Sequence, residues 1–141
     1  MKKIILILAV GLLLLFAACS NGANETNAPS DDLGDTSPSW QTITAAEASG
    51  MMAEVDSFIL LDVRTDAEFQ ERRIDGALLI PYDEIRDRAE AELPDKNAVI
   101  LIYCRSGRRS ALAAADLATL GYTNVYDFGG IIDWSYELIS G

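Results

Sequence analysis

From Trp40 onward, short apolar runs alternate with polar segments that carry helix-start signals. The run FILLD, Phe58 to Asp62, is brief and almost wholly apolar, and AVILIY, Ala98 to Tyr103, has the same character more strongly. Runs of this length without polar alternation fit strands buried on both faces, the pattern of a parallel sheet covered by helices. Both are expected at the sheet centre. LLIP (Leu78 to Pro81) and NVYDF (Asn124 to Phe128) are weaker strand candidates. Thr44 precedes Glu47, and Thr65 precedes Glu68, by the spacing at which hydroxyl and carboxylate satisfy each other's backbone N–H groups at a helix start. Each pair predicts a short helix. Asp83 to Leu93, Arg109 to Leu120 and Ile131 to Leu138 also read as helical, with Gly121 as a C-cap. The fold class expected is α/β: a mostly parallel central sheet of about four to five strands, flanked by helices on both faces.

The chain begins differently. Met1 to Ala18 reads MKKIILILAVGLLLLFAA, two lysines and then 15 apolar residues from Ile4 to Ala18. A membrane-spanning helix needs roughly 20 such residues, so this run is too short to span. A charged start, a short apolar segment and small residues before a break are the layout of an export signal. The break falls at FAAC, and the stretch resembles a bacterial lipoprotein signal whose cysteine, here Cys19, is lipidated and becomes the mature N-terminus. Phe16 stands where leucine is most common, which keeps ordinary cleavage nearby as the alternative. Residues 19–39 are rich in Asn, Ser, Asp, Gly and Pro and have little to bury, which is the composition of a flexible tether. The expected organisation is a signal over 1–18, a tether over 19–39 and one domain over 40–141, exported and held at a membrane through Cys19.

Charge narrows the chemistry. The formal net charge is −11, and loss of Lys2 and Lys3 with a leader would take it to −13, which argues against a nucleic-acid partner. Histidine is absent, which removes the usual general base, the Ser/His/Asp and Cys/His nucleophile arrangements and most zinc ligand sets, so no metal site is expected. With Cys19 assigned to the leader junction, Cys104 is the thiol left for chemistry.

Cys104 directly follows AVILIY and opens CRSGRRS, which runs into the helical SALAAADLATL. A strand, a tight loop and a helix N-terminus in succession can turn the backbone N–H groups of Arg105 to Ser110 toward one point, and the helix start adds partial positive charge there. Arg105, Arg108 and Arg109 place three of the chain's 11 basic residues in this loop of an acidic protein. The expected result is a Cys104 thiolate stabilised without a histidine, inside an anion cradle built from Arg105, Ser106, Gly107, Arg108, Arg109 and Ser110.

These residues resemble the rhodanese-like sulfurtransferases over about Trp40 to Gly141. CRSGRRS is similar to that family's six-residue active-site loop, here Cys104 to Arg109; LLDVRTDAEF resembles its early strand-and-helix segment, and FGGIIDW, with Gly129, Gly130 and Trp134, its closing one. The resemblance implies that Cys104 accepts sulfane sulfur from a small anionic donor such as thiosulfate and passes it, as a covalent persulfide, to cyanide or a thiol. No dissociable cofactor is implied, and the domain is expected to act as a monomer. Arg105 and Arg109 would hold the donor, while Asp62, Arg64 and Glu68 match the early motif, where the acids would orient a loop arginine or serve as caps and surface pairs. ERRIDGA departs from the family pattern, because Arg73 takes the usual histidine's place while Ile74, Gly76 and Ala77 fit. Two other readings stay open. A phosphatase or arsenate reductase also uses a loop cysteine and arginine, but its arginine falls six positions after the cysteine, where this chain has Ser110. A binding module that captures a sulfur carrier without turnover would use the same loop.

Overall fold

The computed structural model describes residues 39–141, so the signal over 1–18, Cys19 and the tether as far as residue 38 lie outside the described residues. Strands β1 (Gln41–Thr42), β2 (Ile59–Asp62), β3 (Leu78–Leu79), β4 (Ile100–Cys104) and β5 (Val125–Gly130) form one sheet in the order β1-β5-β4-β2-β3. Every neighbouring pair is parallel. Helices α1 (Ala45–Glu54), α2 (Asp66–Glu71), α3 (Ile85–Glu92) and α4 (Arg108–Thr119) alternate with the strands, and a 3-10 turn (Ile131–Asp133) follows β5.

The alternation of side chains along β4 divides the core. Ile100, Ile102 and Cys104 face a cluster with Ile85 and Ala89 of α3 and Ala113, Ala114 and Leu117 of α4. Leu101 and Tyr103 face the other way, onto Ala48 of α1, Phe128 and Ile131. All five residues of β4 are buried, as the unbroken apolar run requires. β4 holds the centre, with β5 and β2 at its sides, so β2 lies one place further out than its composition suggested.

Both capping boxes form. Glu47 N–H donates to Thr44 Oγ1 at 3.2 Å and Thr44 N–H to Glu47 Oε2 at 2.7 Å, opening α1. The Thr65 and Glu68 pair opens α2 in the same way, at 3.3 and 3.1 Å. A cap of this kind is worth about 1 kcal/mol and explains how so short a helix as α2 keeps its place. Gly121 follows α4 in the left-handed conformation, with its N–H on Ala118 O at 3.0 Å.

Two elements differ from the sequence reading. β1 has no apolar pattern; Gln41 and Thr42 are exposed and become a strand only by pairing with Tyr126 and Asp127 of β5. The helix expected over Ile131 to Leu138 is one 3-10 turn, after which the chain extends. Packing decides this. Trp134 packs at a tilt against Phe128 at 5.6 Å and edge-on against Tyr136 at 4.8 Å, and Ile139 exchanges backbone hydrogen bonds of 2.8 and 2.9 Å with Arg73. A helix would give up those partners.

Candidate active site

Cys104 ends the central strand at the carboxyl edge of the sheet, the position at which parallel α/β sheets present their ligands. Its side chain is buried, and the Gly107 N–H donates to Sγ at 3.1 Å. Gly107 takes φ +93° at the start of α4 and has no side-chain cap, so the first N–H groups of that helix are left for the sulfur. Burial alone would raise the thiol. The N–H and hydroxyl of Ser110, with the N–H groups of Ser106 and Gly107, outweigh it and bring Cys104 below its ordinary value.

The end of β5 closes over this loop. Between Ile102 and Cys104 the register with β5 shifts, Ile102 facing Asp127 and Cys104 facing Gly130, so β5 carries one extra residue there. The bulge brings Gly130 so close that a Cβ on it would lie 2.5 Å from Arg105 O and 2.8 Å from Ser106 Cα. Only glycine fits. Ile132 N–H donates to Arg105 O at 3.3 Å, and the fully buried Ser110 hydroxyl reaches Gly107 O at 3.0 Å and Gly129 O at 3.3 Å. Two hydrogen bonds, Ile132 to Arg105 and Ser110 to Gly129, thus tie the loop to the end of β5 beside the close approach at Gly130.

A family model for the rhodanese-like domain matches residues 44–137. The chain belongs to that family. It is 36% identical over 81 residues to thiosulfate sulfurtransferase PspE of Escherichia coli strain K12, an alignment covering 57% of this chain and 78% of the relative. It is 39% identical over 94 residues to a sulfurtransferase of Allochromatium vinosum, covering 66% and 86% respectively. Among solved structures, a rhodanese-like domain protein from Staphylococcus aureus superposes with a TM-score of 0.63 at 33% identity, over 72% of this chain and 98% of the other.

Within this rhodanese-like domain the loop arginines have different surroundings. Arg109 is drawn onto Glu68 by two parallel hydrogen bonds of 2.8 Å. Those bonds hold the Glu68 carboxyl down to about 2 against the effect of burial, with help from Thr65, and they raise the Arg109 guanidinium, to which Cys104 adds a smaller contribution. Arg105 and Arg108 are exposed. Arg105 borders a polar cavity of about 110 Å³ beside the loop, lined also by Arg64, Glu68, Glu71, Arg72 and Ile131.

Of the acids in the early motif, Glu68 reaches a loop arginine and Asp62 does not. Asp62 is fully buried and takes four hydrogen bonds of 2.6 to 3.0 Å from Arg64, which also donates to Arg72 O at 2.7 Å. That pair fastens the end of β2 to the segment after α2. Arg73, in the place of the family's usual histidine, lies over the Phe69 ring at 4.8 Å and pairs its backbone with Ile139, so it joins α2 to the C-terminal segment. Asp127, buried at the bulge, was missed by the sequence reading. A signal existed: NVYDF puts an acid on the same strand face as core residue Val125, where an ionisable group needs a reason.

Proposed function

We propose that the domain is a sulfurtransferase that moves sulfane sulfur from a small anionic donor such as thiosulfate to a thiophilic acceptor, cyanide or a thiol, through a persulfide on Cys104. The observation that carries this reading is the Cys104 sulfur, buried beneath converging N–H donors and held below its ordinary pKa. The Cys104 thiolate attacks the outer sulfur of thiosulfate; a new S–S bond forms, the old one breaks, and sulfite departs with the bonding electron pair. Cyanide then attacks the outer sulfur of the persulfide, thiocyanate leaves, and the thiolate returns with its pair. Neither step moves a proton, so a chain without histidine loses nothing by lacking one.

The residues take the following parts. N–H groups of Ser106, Gly107 and Ser110 face the charge on sulfur in both resting and persulfide forms, as fixed donors that need no reorganisation. Arg105, exposed at the mouth, meets the anionic donor and the departing sulfite. Arg109 adds positive charge beside Cys104 while Glu68 fixes its direction. Arg109 falls five positions after Cys104 and Ser110 stands at the sixth, so the loop lacks the arginine placement of a cysteine phosphatase, which favours sulfur over phosphate. The names of the Escherichia coli and Allochromatium relatives support the same class. Cys19 is the proposed lipid attachment, which would hold the domain at the outside of a bacterial membrane, since stable anchoring takes two or more acyl chains.

The test is turnover of thiosulfate with cyanide by the wild type and by Cys104→Ser, alongside hydrolysis of an aryl phosphate. Thiocyanate from the wild type alone, with negligible phosphate release by either, is expected. Ready phosphate release without thiocyanate would transfer the site to the phosphatase reading.

A further inference from the structure

The polar cavity beside the loop holds charges that the chemistry above leaves unused. Glu71 ends α2 and Arg72 is its C-cap, at φ −166° and ψ 148°. Successive residues of a helix face different sides, but the turn to extended backbone at Arg72 lets both residues line the same space of about 110 Å³, with Arg105 of the loop on its wall as well. Arg64 and Glu68, which complete the polar lining, already have partners: Arg64 is bonded to Asp62 and to Arg72 O, and Glu68 to Arg109. Arg72, Arg105 and Glu71 are exposed and form no ion pair with any described residue. The cavity therefore offers two unpaired guanidinium groups and one unpaired carboxylate. A space of this size holds several waters, which is room for a small charged molecule and too little for a peptide.

Thiosulfate, a dianion, suits the two arginines but is repelled by Glu71. A ligand that uses all three groups carries a carboxylate for the arginines and an ammonium for the acid. We propose that this cavity is the acceptor subsite and selects a small amino-acid thiol, Arg72 and Arg105 holding its carboxylate and Glu71 its ammonium. This rests on the Cys104 persulfide described under the proposed function. Arg105 serves donor and acceptor in turn, because sulfite has left before the acceptor enters. The acceptor thiolate attacks the outer sulfur of the persulfide; a new S–S bond forms, the bond to Cys104 breaks, and its electron pair returns to the Cys104 thiolate. No proton moves, and the product is the persulfide of the amino-acid thiol. Arg72 and Glu71 touch none of the bonds that change, so they determine which thiol is accepted.

The test loads the full chain with thiosulfate, removes the donor by gel filtration, and follows loss of the added sulfur from the Cys104 peptide by mass spectrometry. The probes are L-cysteine, which carries both charged groups, 3-mercaptopropionate with the carboxylate, cysteamine with the ammonium, and 2-mercaptoethanol with neither. Each second-order rate constant is divided by that for 2-mercaptoethanol with the same variant, which cancels any general change at Cys104. Arg72→Ala should lower this ratio about fivefold for cysteine and 3-mercaptopropionate, and less than about twofold for cysteamine. Arg72→Lys, which keeps the charge, should restore most of the loss. Glu71→Gln should lower the ratio for cysteine and cysteamine and leave 3-mercaptopropionate at or above its wild-type value. Both side chains are exposed, and Arg72 accepts the Arg64 bond through its carbonyl, so these variants keep the fold's own contacts. Ratios that stay at wild-type values, or that change equally for all the charged thiols, would overturn the proposal while the persulfide stands. Absence of added sulfur on wild-type Cys104 after thiosulfate would instead remove the sulfurtransferase reading, and the subsite with it.

Discussion

Two ion pairs share the segment from Asp62 to Glu68, and they serve different ends. Asp62 and Arg64 are two residues apart, 0% and 3% exposed, and bonded to each other. Glu68 and Arg109 are 41 residues apart, 23% and 17% exposed, and join α2 to the first turn of α4 beside the sulfur. A sealed local pair locks a strand end and, although Arg64 touches the cavity wall, has almost no surface to offer a substrate. A partly open pair between distant elements can aim a guanidinium at a reacting anion and still yield to it. Burial and partner, more than residue type, separate a fold-holding arginine from a site-holding one.

The sharpest way to break this comparison is to open the sealed pair. Asp62→Ala leaves Arg64 buried without its carboxylate and should cost about 3–5 kcal/mol, seen as a large drop in the urea midpoint. A loss below about 1 kcal/mol would mean that the pair is no lock. The backbone seat comes next. Gly130→Ala drives a Cβ into Arg105 O and Ser106 Cα, so the loop must move, with about 1–3 kcal/mol of destabilisation and loss of most thiosulfate turnover. Full turnover in that variant would show that the bulge does not hold the loop in place.

Smaller effects sharpen the second pair. Arg109→Ala should reduce kcat/KM for thiosulfate about tenfold, near 1.4 kcal/mol, while altering the urea midpoint little. If stability falls as far as in Asp62→Ala, the two pairs do the same work and the distinction fails. The smallest effect is on pH. Glu68 sits at about 2 in the folded chain against 4.5 ordinarily, so its contribution to stability is complete above pH 4.5 and fades as pH falls from there toward 2. The difference in unfolding midpoint between wild type and Glu68→Gln should shrink across that window. A gap that persists at low pH would locate the stabilisation elsewhere.

Local signals carried much of this in the sequence. Thr44 with Glu47 and Thr65 with Glu68 marked two helix starts because a capping box needs nothing beyond its own turn. Cys104 between an apolar run and a helix start marked the cradle, because strand, loop and helix follow without a gap. What stayed hidden depends on distant partners. β1 is a strand only because β5 lies beside it, and IIDWSYEL keeps no helix because Phe128 and Arg73 claim Trp134 and Ile139. The aim of Arg109 was likewise unreadable, since Glu68 lies 41 residues away and nothing near either residue ranks it above Asp62 as a partner.

The central claim is that Cys104 carries the sulfur. The direct measurement is the mass of the Cys104-bearing peptide of the full chain after thiosulfate, and again after cyanide. The mass of one added sulfur atom on Cys104, removed by cyanide with release of an equal amount of thiocyanate, is the expected result. An unaltered Cys104 peptide, in a protein that still produces thiocyanate, would contradict it.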